Sequence, residues 1–190
     1  MKKQFLIGAL LTLISTSVYA HPGHTGHGFL AGFAHPFTGI DHLLVMLAVG
    51  LWAGKIGGSA RWQLPLTFMV IMAISAVSGL AGMSLIALET GVAASVMAMG
   101  LLLAISLPIN RAIQLSLVAI FAVFHGLAHG AELSLNSGML VIFGMVLATG
   151  LLHMAGLKLA ILQLTVGRQI YAALGWLVML AGGYMLLVIS

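Results

Sequence analysis

Residues 112–135 read AIQLSLVAIFAVFHGLAHGAELSL, and this stretch decides the fold. Between Arg111 and Glu132, 20 consecutive residues contain no Asp, Glu, Lys or Arg. An apolar run of about 20 residues is what an α-helix needs to cross a bilayer. The stretch therefore predicts a membrane-spanning helix, and the same helix carries His125 and His129.

The whole chain has the same character. Of its 190 residues, 62% are hydrophobic and only 5% are Asp, Glu, Lys or Arg, whereas soluble domains contain about 25% charged residues. Three acids and seven bases cannot cover a water-facing surface of this size. The absence of cysteine excludes a disulfide scaffold, and no basic patch is available to bind nucleic acid. The composition therefore predicts an all-α protein that crosses a membrane several times.

The first 20 residues have the pattern of a secretory signal peptide. Two lysines precede an apolar run from Phe5 to Ile14, and small residues lead to Ala20. Because this run has about half the length of a membrane crossing, we expect cleavage after Ala20. An uncleaved first helix is the alternative. After cleavage, residues 21–27 form a His-rich extracytoplasmic tail.

Residues 28–190 form one predicted transmembrane domain with six apolar segments. The segments cover about residues 28–54, 62–81, 84–107, 112–135, 138–157 and 169–189. With the mature N-terminus outside, the first, third and fifth connections face the cytoplasm. All five bases of the mature chain lie at those connections: Lys55, Arg61, Arg111, Lys158 and Arg168. This asymmetry follows the positive-inside rule. It predicts a six-helix bundle in a bacterial inner membrane, with both mature termini extracytoplasmic.

Ionisable side chains inside a membrane are costly, so each one indicates a function. The chain has three acids, and all of them lie in or at the ends of apolar segments: Asp41, Glu89 and Glu132. Two of the three have histidines close by in the sequence. These two groups, in the first and fourth segments, contain the candidate functional residues.

The first group consists of His35, Asp41 and His42. The two histidines are seven residues apart, so on a helix they share a face to within about 20°. Asp41 lies on the flank, where it can turn inward or hydrogen-bond a histidine. Pro36 and Gly39 weaken the helix here, as in the ion sites of transporters. A kinked helix start with capping histidines is the alternative.

The second group consists of His125, His129 and Glu132, which project from one face of the fourth segment. Two imidazoles and a carboxylate at this spacing suit a borderline divalent metal; a polar patch satisfied within the protein is the alternative. The two groups lie at a similar predicted depth in their segments. We therefore expect one shared metal site with six ligand candidates: His35, Asp41, His42, His125, His129 and Glu132.

Several further residues are secondary candidates. Glu89 lies near the outer start of the third segment, where it either joins the site or stabilises a helix N-terminus. His153 lies deep in the fifth segment, as an exit station, a proton acceptor or a packed residue. The predicted tail contains His21, His24 and His27, which either concentrate metal weakly or form a plain linker. The twelve methionines are interpreted mainly as core and lipid-facing residues.

Together, HPxxGxDH at residues 35–42 and FHGxAHGxE at residues 124–132 resemble the motifs of the HupE/UreJ family of nickel/cobalt permeases. The resemblance extends over essentially the whole mature chain. It implies secondary uptake of Ni²⁺ or Co²⁺ as the transported substrate, without a permanent cofactor, to supply hydrogenase, urease or cobalamin synthesis. The ligand chemistry itself suits nickel, cobalt and zinc alike. The sequence does not fix the oligomeric state, and a homo-oligomer is one of the alternatives.

An intramembrane metal-dependent enzyme is the main alternative, because His-x-x-x-His also occurs in hydrolases and di-iron oxidases. Against it, position 126 is Gly where a zincin helix carries its general-base Glu. We also expect no serine or cysteine nucleophile to pair with the histidines. A haem-binding subunit is disfavoured, because His125 and His129 on one helix cannot both be axial ligands of one haem.

Overall fold

The computed structural model of the chain describes residues 28–133, 138–163 and 168–189. These residues form only helices and connections. The helices are α1 (Phe29–Ala34), a 3₁₀ helix (His35–Phe37), α2 (Ile40–Ile56), α3 (Ala60–Leu80), α4 (Leu88–Ala104), α5 (Arg111–Glu132), α6 (Gly138–Gln163) and α7 (Arg168–Ile189). The predicted all-α fold is therefore confirmed for this part of the chain. The predicted signal peptide and His-rich tail lie outside the described residues.

Four of the helices, α3, α5, α6 and α7, are long and apolar enough to cross a membrane. The segment formed by α1 and the 3₁₀ helix makes an angle of 82° with α2. If this segment and α2 are counted together as one span, the described residues contain five candidate spans. The apolar helix α4 has 17 residues and is shorter than a full crossing. The protein is thus a multi-pass membrane protein by length and composition, and the count of six crossings stays a prediction.

The bend in the first segment has a local cause. Pro36 lies in the 3₁₀ helix, and the Thr38 hydroxyl donates to the carbonyl oxygen of His35 at 2.7 Å. Gly39 is extended, with φ −100° and ψ 123°, and α2 begins directly after it. The residues expected to weaken the segment therefore break it into two helices, and the segment is not one continuous helix over residues 28–54.

Two further boundaries differ from the predictions. The third segment was predicted to begin at about residue 84, but residues 81–87 connect α3 to α4, which begins at Leu88. In this connection Gly82 and Ala87 have positive φ, so the chain turns in a loop of its own. In contrast, α6 continues to Gln163 and includes Lys158, because lysine favours helices and its long apolar stem tolerates a lipid boundary.

Glycines let the helices pack backbone against backbone, as is common in membranes. A Cβ at Gly126 would overlap the carbonyl oxygen of Met72, and a Cβ at Gly130 would overlap that of Ala76. The order of these contacts shows that α3 and α5 run parallel. In the same way Gly50 lies against the backbone of His153, while Gly54 meets Ala160, so α2 and α6 also run parallel.

The bundle has two distinct ends. His35 lies 2.9 Å from Glu132, so the start of α2 and the end of α5 meet at one end, which we call the histidine end. At the opposite end, which we call the basic end, Lys55 Nζ donates to the carbonyl oxygens of Leu103 (2.6 Å) and Ile105 (3.3 Å). The lysine charge therefore lies at the C-terminus of α4, where the helix dipole favours a cation.

The remaining bases of the predicted mature chain lie toward the basic end as well: Arg61, Arg111, Lys158 and Arg168. Helices α3, α5 and α7 begin there, and α6 ends there because it runs parallel to α2. The direction of α7 follows from its packing on α4, where Gly175 meets Ala104 and Gly182 meets Met97. Positive charge and the histidine groups are thus separated along the bundle axis.

Candidate metal site

His35 and Glu132 form the open edge of the histidine end. His35 Nε2 lies 2.9 Å from Glu132 Oε2, and their side chains are 28% and 56% exposed. The 3₁₀ helix positions His35, whereas Glu132 is the last residue of α5. The break in the first segment therefore turns His35 toward α5 and leaves this pair accessible from outside the bundle.

His129 lies deeper in the bundle than His35 and Glu132, and it is fully buried. Its ring centroid is 4.8 Å from that of His35 and 4.2 Å from that of His42. Neither of its ring nitrogens has a hydrogen-bond partner among the described residues. One ligand atom from each of His35, His129 and Glu132 lies within 4.8 Å of the others.

Asp41 fixes the orientation of His42. Asp41 Oδ1 accepts hydrogen bonds from the His42 backbone N–H and from its Nδ1, both at 2.8 Å. A Cβ at Gly39 would lie 2.7 Å from the carboxylate oxygen and 2.9 Å from the imidazole nitrogen, so glycine leaves room for this pair. In the neutral imidazole, Nδ1–H donates to the carboxylate and Nε2 carries the lone pair. Nε2 is buried and has no hydrogen-bond partner among the described residues.

Ser95 on α4 orients His125, which is fully buried. The Ser95 hydroxyl donates to the carbonyl oxygen of Val92 at 2.6 Å, so at 2.8 Å it accepts from Nε2–H of His125. Nδ1 of the neutral ring therefore carries the lone pair, and no described residue is a hydrogen-bond partner for it. The His125 ring centroid lies 4.9 Å from that of His42, so four imidazoles form a continuous row from His35 through His129 and His42 to His125.

The structure thus brings together the two sequence groups on α2 and α5. Imidazole nitrogens and carboxylate oxygens suit nickel, cobalt and zinc. The lone pairs at His42 and His125 are set by Asp41 and Ser95, which is the arrangement of partners found behind metal-binding histidines. Buried polar atoms usually have a partner, and a cation bound among these nitrogens would supply it.

Ser95 is not among the residues singled out from the sequence. The expectation there concerned a serine nucleophile, and the contact of Ser95 with His125 is of another kind. One serine in an apolar helix gives no signal, because its contact with His125 joins residues 30 positions apart. The pair does not have the geometry of a nucleophile and its base. The hydroxyl proton points to Val92, and no carboxylate holds the other nitrogen of His125.

The secondary candidates lie elsewhere. Glu89 is exposed in the first turn of α4 and is not among the three residues whose ligand atoms come together. His153 is buried on α6, and its Nδ1 lies 2.7 Å from the carbonyl oxygen of Met46. The tail histidines His21, His24 and His27 lie outside the described residues.

Comparisons with known proteins show the family of the chain. The family model described as HupE / UreJ protein matches residues 9–185. Protein HupE of Rhizobium leguminosarum bv. viciae is 39% identical over 189 residues, which cover 98% of this chain and 99% of that protein. No solved structure matches the chain. The resemblance carried by the two histidine motifs is therefore confirmed, and the chain belongs to the HupE/UreJ family.

Proposed function

We propose that the protein is a permease for a divalent transition metal, Ni²⁺ or Co²⁺, and that the ion passes through the row of histidines between α2 and α5. The observation that carries the proposal is a set of buried imidazole nitrogens that have no hydrogen-bond partner in the described part of the chain and lie next to two carboxylates: His42, His125 and His129 with Asp41 and Glu132. Membership of a family whose name implies nickel and cobalt transport supports the choice of metal.

The geometry suggests the order of the first steps. The ion reaches the exposed pair of His35 and Glu132, exchanges waters for their ligand atoms, and then meets the buried His129. Asp41 and Glu132 offset part of its charge inside the low-dielectric bundle. His42 and His125 follow in the row with their lone pairs already oriented.

Charge distribution supports an inward direction of transport. The basic end faces the cytoplasm under the positive-inside rule, which places the histidine end outside. An inside-negative membrane potential stabilises each charge that crosses by about 2.3 kcal/mol per 100 mV, so a divalent ion gains about twice that amount. The potential alone can then drive uptake down the electrochemical gradient.

The test of the proposal is metal uptake by the purified chain in liposomes. We expect Ni²⁺ and Co²⁺ to enter faster than into empty liposomes, and the rate to rise when an inside-negative potential is imposed. Mg²⁺ should not compete, because it prefers oxygen ligands and dehydrates reluctantly. Influx no faster than in empty liposomes would refute the proposal.

Replacing Ser95 by alanine should lower the affinity for Ni²⁺ by about 10–100-fold, the usual effect of removing a residue that orients a metal-binding histidine. The variant loses the acceptor for Nε2–H of His125, so the ring is free to rotate or change tautomer. The measurement is calorimetric Ni²⁺ binding to the purified chain. Ser78→Ala on α3 is the control, because the hydroxyl of this half-buried serine donates to the carbonyl oxygen of Ile74 in its own helix. Equal affinity for Ser95→Ala and the wild type would contradict the role given to Ser95.

An intramembrane enzyme is the second candidate, and the pairing of Ser95 with His125 is the observation in its favour. The direction of the hydroxyl proton and the 1% exposure of Ser95 weigh against attack on a substrate. Turnover of a lipid or peptide in liposomes that show no metal influx would support the enzyme over the permease.

A further inference from the structure

His153 lies outside the row of histidines, on α6, and its geometry is that of a ligand. The side chain is 1% exposed. Nδ1 lies 2.7 Å from the Met46 carbonyl oxygen, which can only accept, so Nδ1 carries the proton. Nε2 of the neutral ring therefore carries a lone pair, and it has no partner among the described residues. This nitrogen is therefore a buried hydrogen-bond acceptor without a donor, which is unusual inside a folded protein.

Two thioethers contact Thr149, which lies one turn before this histidine. Thr149 is one turn before His153 on the same face of α6, and its hydroxyl lies 3.4 Å from the sulfur of Met46 and 3.8 Å from that of Met72. Met46 and Met72 are both fully buried. Imidazole and thioether together favour borderline and soft cations over Mg²⁺ or Ca²⁺.

The ring of Phe68 lies between the row of histidines and His153. Its centroid is 5.8 Å from that of His125 and 5.2 Å from that of His153. Phe68 is fully buried on α3. A cavity of about 380 Å³ is lined by His153 and, at the basic end, by Arg61. One aromatic side chain thus contacts both His125 of the row and His153.

We propose that His153, with the thioethers of Met46 and Met72, forms a second station for the transported divalent cation, beyond Phe68. The inference rests on the proposed transport function and adds a site to it. All three acids of the chain lie toward the histidine end, at α2, α4 and α5, so the second station has no carboxylate. A site built from neutral ligands holds a divalent cation more weakly than one with carboxylates. The ion is thus bound firmly at the row of histidines and loosely at the second station, which favours release.

The decisive variant is His153→Asn, because asparagine can still donate to the Met46 carbonyl oxygen in place of Nδ1 but has no equivalent of the Nε2 lone pair. We expect Ni²⁺ uptake into liposomes to fall about tenfold or more, while calorimetric Ni²⁺ binding to the full chain stays at the wild-type affinity. Wild-type uptake by His153→Asn would overturn the proposal. A loss of binding together with uptake would also overturn it, because His153 would then belong to the first site or to the fold.

The sulfur ligands are tested by Met72→Leu, with Met97→Leu on α4 as the control. Met97 is 37% exposed, and its sulfur lies toward Gly183 of α7. We expect Met72→Leu to slow uptake and Met97→Leu to leave it unchanged. This pair also keeps the proposal testable if His153→Asn fails to fold, since equal uptake by the two leucine variants would refute the thioether role. Absence of uptake by the wild type itself would instead refute the proposed transport function.

Discussion

Replacing His129 by alanine should abolish Ni²⁺ uptake, with a loss of about 100-fold or more, because residues that only orient a ligand already contribute about 10–100-fold. His129 is fully buried, and its ring contacts those of His35 and His42. Over residues 28–133, 138–163 and 168–189, neither of its ring nitrogens has a hydrogen-bond partner. Alanine removes the imidazole that contacts both His35 at the exposed edge and the buried His42. Uptake into liposomes and calorimetric binding should both be lost, unlike in His153→Asn.

The control for this experiment is Ile120→Ala on the same helix. Ile120 is 52% exposed and faces away from the histidines, so its truncation removes a side chain from α5 without touching the site. We expect uptake by Ile120→Ala to match the wild type. If His129→Ala also transported Ni²⁺ at the wild-type rate, the path through the histidine row would be wrong, whatever the family membership implies.

The sequence is sufficient to predict the composition of the site, because spacing on a helix is a local property. His125, His129 and Glu132 follow the helical period, and the burial of the first two on α5 agrees with their shared face. The meeting of this group with His35 and His42 was also predictable, since two ionisable groups in an apolar chain stabilise each other only if they come together.

What the sequence could not predict depends on packing between distant segments. The partner of His125 is Ser95 on α4, and the groups around His153 come from α2 and α3. A serine or a methionine in an apolar helix has no pattern that distinguishes such a contact from ordinary packing. The angle of 82° in the first segment also depends on packing. Pro36 predicts that the helix breaks, but the neighbouring helices determine the direction of the chain after the break.

Gly130→Ala should destabilise the folded protein strongly, although it adds a single methyl group. A Cβ at this position would fall within 3.0 Å of the Ala76 carbonyl oxygen and of atoms of Leu80 and Gly79. These are backbone atoms that cannot rotate away, so α3 and α5 must separate. Overpacking of this kind costs about 1–3 kcal/mol, or more where the backbone has to move. We expect a lower melting temperature in detergent and a smaller yield of monodisperse protein.

Gly183→Ala is the matched control for that substitution, because a Cβ there would meet only the flexible sulfur of Met97 at 3.9 Å. Both glycines lie in membrane-spanning helices, so the change in helix propensity is the same and favours alanine in each case. We therefore expect Gly183→Ala to melt at or slightly above the wild-type temperature. Equal melting temperatures for the two variants would mean that α3 and α5 do not touch at Gly130. In that case the packing of α3 against Gly130 would not be what positions the adjacent His129 next to the histidines of α2.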